Sequence, residues 1–180
     1  MRRVGLLVSR GVLGSYLVVH GAQKLFGAFG GHGLEATATG FASIGLRPAR
    51  AMATLAGVSE LGGGVLTATG IADPLGPLAL AGTMAVAAVV HRRRGPLAQK
   101  GGFELPLTNL ALAVALMSSS GSRRKRLRLP GSLVRLALVG VVGATGLAIG
   151  QLLLARPAPA SDEASSDAQA STLRERSVPE

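Results

Sequence analysis

The chain has 180 residues, enough for one ordinary domain, and 48% of them are hydrophobic while only 16% are charged, against the roughly 25% charged residues of soluble domains. Cysteine is absent, which excludes structural disulfides, thiolate metal sites and dithiol redox chemistry within the chain. The net charge of +10 sits in short runs beside apolar blocks and lacks the stacking aromatics of single-strand binders, so the charge is assigned to membrane flanks and anionic lipid, with no nucleic acid partner.

The first apolar stretch runs from Val4 to Phe26 behind Arg2 and Arg3. It looks like a signal peptide, but Arg10 interrupts it and no small-residue cleavage site follows, so a retained first helix is expected. The glycine-rich connection from Gly27 to Arg50 is long for a helix-to-helix loop and is expected to hold a re-entrant or interfacial segment. A second span covers Ala51 to Ile71, Asp73-Pro74 forms a short turn, and a third span covers Leu75 to Val90, antiparallel to the second. His91 and Arg92–Arg94 end it. A short fourth span runs from Phe103 to Met117, and a fifth from Leu133 to Leu154. The fifth carries Gly140, Gly143, Gly146 and Gly150 along one broad face, with Gly146 and Gly150 as a small-residue packing motif.

The expected architecture is therefore an all-α membrane protein: a four-helix transmembrane bundle over residues 1–121, a basic linker at 122–132, an additional C-terminal transmembrane helix at 133–155, and a polar tail at 156–180 whose composition predicts disorder. An N-terminus on the cytoplasmic side is favoured, because it keeps Arg2, Arg3 and the dense cluster at 123–128 inside. Arg92–Arg94 then face outward, against the same rule.

Ionisable residues inside spans are expensive and usually face protein or water. They are Arg10, His20 and Lys24 in the first helix, Glu60 in the second, and Glu104 at the head of the fourth; Tyr16, Gln23 and Asn109 add neutral polarity. Tyr16, His20 and Gln23/Lys24 fall on one helix face by their spacing. Counting equal depths from the helix ends predicts two polar levels, Lys24 with Glu104 and His20 with Glu60, and Arg10 as a further partner for Glu60. Such a cluster either holds the bundle together as structural pairs or lines a pocket for a polar headgroup, a quinone or a proton path. His20, His32 and His91 have no metal-ligand spacing, so no metal site is expected.

Several motifs in order resemble the DoxX family of small bacterial integral membrane proteins. They are Arg10-Gly11, the run His20-Gly21-Ala22-Gln23-Lys24-Leu25-Phe26-Gly27, Phe29-Gly30-Gly31, the run Glu60-Leu61-Gly62-Gly63-Gly64, and Gly101-Gly102-Phe103-Glu104, together covering residues 5–121. The resemblance implies a four-helix membrane core with His20, Lys24, Glu60 and Glu104 as its polar positions. It also implies a bacterial cell membrane, and a role as membrane subunit or anchor of a redox, quinone-linked oxidoreductase complex with partner subunits. On that reading the chain is not catalytic on its own, and a quinone is the candidate cofactor. The alternatives are a small-molecule or proton transporter, for which Gly62-Gly63-Gly64 is the candidate helix break, and a membrane scaffold or assembly factor.

Overall fold

The computed structural model describes residues 2–119 and 129–155. Most of the basic linker, at 120–128, and the polar tail at 156–180 lie outside the described residues. Among the described residues six α-helices follow one another: α1 (Arg2–Phe26), α2 (Gly33–Ser43), α3 (Ala49–Thr69), α4 (Leu75–His91), α5 (Glu104–Ser118) and α6 (Gly131–Leu154). Four of them, α1, α3, α4 and α6, are long and apolar enough to cross a membrane. At 15 residues, α5 extends about 22 Å at 1.5 Å per residue, so it falls short of the ~30 Å hydrocarbon layer. The protein is an all-α integral membrane protein. The segment between α1 and α3 is not a plain loop: α2 lies there and fastens its Glu35 to Arg50 at the start of α3.

α1 and α3 form the tightest seam, and glycine makes it. A Cβ on Gly14 would stand 2.7 Å from the carbonyl oxygen of Gly64, and one on Gly64 would stand 2.7 Å from that of Gly14. A Cβ on Gly21 would strike the backbone of Leu61, and one on Gly57 would reach 2.6 Å from Leu25 Cγ. In a bilayer, where lipid is as apolar as leucine, such close backbone approach is a main source of helix association. The seam also sets the register, antiparallel with Gly14 opposite Gly64 and Ala68, and Gly21 opposite Gly57 and Leu61.

The glycine run in α3 is therefore packing surface. α3 is a continuous helix through Gly62-Gly63-Gly64, so the expected candidate break is absent: Gly64 seats α1, Gly63 seats Leu80 of α4, and Gly62 is open. The helix ends at Gly70, whose φ of 64° is the left-handed conformation that terminates helices. Gly76 then brings α4 hard against Leu66 and Thr67. On the other flank of α1, the apolar core joins Leu13 and Leu17 to Leu80 and Met84 of α4 and to Ala113 and Leu116 of α5.

α6 leans on α4 from outside this bundle. Gly82 of α4 leaves no room for a Cβ beneath Val141 and Thr145 of α6. Lower down, Ala148 and Leu152 pack with Leu46 in a second apolar cluster. Gln151 closes the contact with two hydrogen bonds to one residue: its Oε1 accepts from the Arg47 N–H at 3.0 Å and its Nε2 donates to the Arg47 carbonyl at 2.7 Å. The glycine face of α6 makes no such seam. Among the described residues, a Cβ on Gly140, Gly143, Gly146 or Gly150 would meet nothing within 4 Å, so the expected packing motif makes no contact there.

Candidate functional site

Two buried ion pairs tie α1 to the rest of the bundle, one near each end. Toward the start of α1, Arg10 meets Asp73 of the α3–α4 turn in a two-pronged pair, Nη1 to Oδ1 at 2.9 Å and Nη2 to Oδ2 at 2.5 Å. The side chains are 2% and 0% exposed. Nη1 also donates to the Thr67 carbonyl at 3.2 Å, one of the last-turn carbonyls of α3 that lack a helical partner. Arg10 thus neutralises a buried carboxylate and caps a helix at once.

Toward the end of α1, Lys24 Nζ stands 2.5 Å from Glu60 Oε2, with side chains 26% and 4% exposed. Glu60 lies eleven residues into α3, so it sits about 16 Å along that helix. The expected pairings are thereby corrected. Glu60 pairs with Lys24, not His20, and Arg10 pairs with Asp73, not Glu60. Glu104 is exposed and does not meet Lys24: its Oε2 accepts from the Ala98 N–H at 3.0 Å, within its own loop. The physical reason is reach. With Gly21 opposite Gly57 and Leu61, the seam sets Glu60 at the level of His20 and Gly21; the Lys24 side chain, one turn further on, leans back toward the N-terminus of α1 and brings Nζ to Glu60, while His20 packs on Tyr16.

The remaining expected residues divide. Tyr16 and His20 meet edge to face with ring centroids 4.5 Å apart, a favourable aromatic geometry. Gln23 Nε2 donates to the Phe29 carbonyl at 3.3 Å and so anchors the turn after α1. Asn109 is half-buried on α5 and lines neither cavity described next.

A cavity of about 280 Å³ opens between α2, α3, α4 and α6, and the Lys24–Glu60 pair forms its polar end. Its walls are mainly apolar, with Met52 and Leu55 of α3, Val86 and Ala87 of α4, and Val141 and Ala144 of α6. Ser59, Thr83, Thr145 and His91 add polar points. His91 Nδ1 is 2.6 Å from the Gly101 carbonyl; a carbonyl only accepts, so Nδ1 carries the proton there. A second cavity, about 290 Å³, lies on the other side of Lys24 and is lined by His20, Gln23, Gly30, Gly31, His32 and Thr37. Among the described residues no group of His, Asp and Glu has the arrangement of a metal site.

The DoxX family model matches residues 5–93. The chain belongs to the DoxX family. The matched DoxX segment holds α1 to α4 and both buried ion pairs. It stops short of the loop before α5 and of α5 itself, which the motif reading had included, and of α6. No curated protein and no solved structure matches the chain.

Sequence reasoning missed Asp73, His91 and the wall that α6 supplies. Asp73 had a usable signal: it is the one acidic residue between the second and third apolar blocks, and a buried Arg10 needs a counter-charge. The α6 wall had none, because its residues are apolar and indistinguishable from lipid-facing ones.

Proposed function

We propose that this protein is a quinone-contacting membrane subunit of a bacterial redox complex, seated in the cell membrane. The observation that carries this reading is the apolar cavity ending on Lys24 and Glu60. Its volume, about 280 Å³, falls just under the ~300–1,000 Å³ of ordinary ligand sites, which suits a ring-sized head. The charge state of the end wall selects the head. Lys24 is already neutralised by Glu60, so an anionic head would have to displace a buried carboxylate. A neutral head instead completes the hydrogen bonding. A quinone carbonyl accepts from the Lys24 ammonium, and a quinol hydroxyl donates to the Glu60 carboxylate. Electrons would come from a partner oxidoreductase subunit, since the chain has no cysteine for dithiol chemistry. The exposed turn Arg92–Arg94 and the neighbouring Arg47 and Arg50 would rest on anionic lipid headgroups.

The test is binding of a short-chain benzoquinone to the full chain in nanodiscs, measured by native mass spectrometry. Binding is expected, and Ala87→Phe, which fills the cavity, should weaken it at least tenfold. A folded wild-type protein that takes no quinone, or an Ala87→Phe variant that binds as well as wild type, overturns the reading. Purification in mild detergent should also bring down oxidoreductase subunits, and their absence removes the complex from the proposal.

A further inference from the structure

Lys24 of the Lys24–Glu60 pair lines both cavities. The first is walled mainly by apolar side chains. The second carries His20, Gln23, His32 and Thr37 in its wall, and exposure falls from His32 toward the pair. His32 at the mouth is exposed, His20 and Gln23 are half-buried, the Lys24 side chain is 26% exposed, and the Glu60 side chain is 4% exposed. Two imidazoles thus stand between the surface and a buried carboxylate. Imidazole both takes and gives protons near neutral pH. His20 and Lys24 are one helical turn apart, and a cavity of about 290 Å³ has room for several waters at ~30 Å³ each.

We propose that the second cavity is an aqueous proton inlet to the Lys24–Glu60 pair, with His32 and His20 as the relaying groups. Water and ligand then meet the same ion pair from different directions, with Lys24 in the wall of both cavities. A proton from bulk water forms an N–H bond on the His32 ring and moves on to His20. The His20 N–H bond breaks as an O–H bond forms on Glu60, which becomes a neutral acid beside the Lys24 ammonium. Glu60 returns to its carboxylate by giving that proton to an oxygen of the quinone as the partner oxidoreductase reduces it in the apolar cavity. The electrons come from that partner, and none pass through the relay. The groups that bear on the relay are Tyr16 and Lys24 from α1 and Glu60 from α3. Glu35 of α2 is exposed and held by Arg50. This inference rests on the preceding reading only for the identity of the acceptor and the source of its electrons.

Because the chain has no cysteine, single thiols can be placed without background. In nanodiscs, a charged, membrane-impermeant maleimide should label Gln23→Cys at least tenfold faster than Ala87→Cys in the apolar cavity. Equal labelling overturns the inlet. Infrared spectra after a rapid pH change report protonation of Glu60, its band identified by loss in Glu60→Gln or by displacement in Glu60→Asp. Paired His20→Gln and His32→Gln substitutions should slow that protonation at least tenfold in a protein that still folds. An unchanged rate overturns the relay. Slowed protonation in a protein that binds no benzoquinone keeps the inlet and removes the quinone. Quinone binding with an unchanged rate does the reverse.

Discussion

The seam between α1 and α3 and the contact between α4 and α6 both use glycine, and they use it differently. At the first, four glycines from two helices interlock, and three of them, Gly14, Gly21 and Gly64, set backbone against backbone. At the second, a single glycine, Gly82, receives two side chains of α6, while a Cβ on any of Gly140, Gly143, Gly146 and Gly150 of α6 would touch nothing among the described residues. The first seam is flanked by two buried ion pairs, Arg10 with Asp73 and Lys24 with Glu60. The second is finished by the side-chain amide of Gln151 on the backbone of Arg47. A glycine in a membrane helix therefore marks close packing only where a partner backbone lies against it. The family-matched part of the chain is bolted at both ends, and α6 is latched at one.

That comparison can be broken at its strong side first. Gly21→Leu drives a side chain into the Leu61 backbone and should abolish a monodisperse folded protein in detergent size-exclusion; overpacking of well-fitted cores already costs about 1–3 kcal/mol without backbone collision. Asp73→Ala leaves the Arg10 guanidinium buried without its counter-charge and should cost about 3–5 kcal/mol, read as a lowered unfolding midpoint in a denaturing-detergent titration. Pairing it with Arg10→Met should recover part of that loss, and no recovery would mean that Arg10 matters mainly as the cap on α3.

The weaker contact should respond less. Gln151→Ala removes two hydrogen bonds from the α6 latch and should cost about 0.5–1.5 kcal/mol for each bond, with α6 becoming more open to protease while α1 to α5 keep their melting behaviour. Gly146→Leu, on the open face of α6, should change stability by no more than about 0.5 kcal/mol. A large effect there would reveal a partner seated on that face and would erase the distinction between the two seams.

Much of this was legible beforehand. The five apolar blocks emerged as α1, α3, α4, α5 and α6, because long apolar runs between basic flanks have few other fates. The polar cluster on α1 was visible from the spacing of Tyr16, His20 and Lys24. What failed was pairing. The depth of Glu60 near His20 agrees with the seam, where Gly21 faces Gly57 and Leu61, but Lys24 reaches back one turn to take that carboxylate and Glu104 turns to its own loop. Side-chain reach of this kind is not carried by periodicity. The helix within residues 27–50 was anticipated only as an interfacial segment, as its short apolar pattern resembles a loop.

The wall that α6 gives to the apolar cavity has a consequence for biosynthesis. Chains emerge from the ribosome N-terminus first, at ~5–20 residues per second. The bundle of α1, α3, α4 and α5 can therefore insert and lock its ion pairs a few seconds before α6 is made. Until that last helix arrives, Met52, Val86 and Ala87 border lipid instead of a chamber. The nascent bundle is thus a complete fold without a complete site, and it acquires its chamber only when the final helix docks.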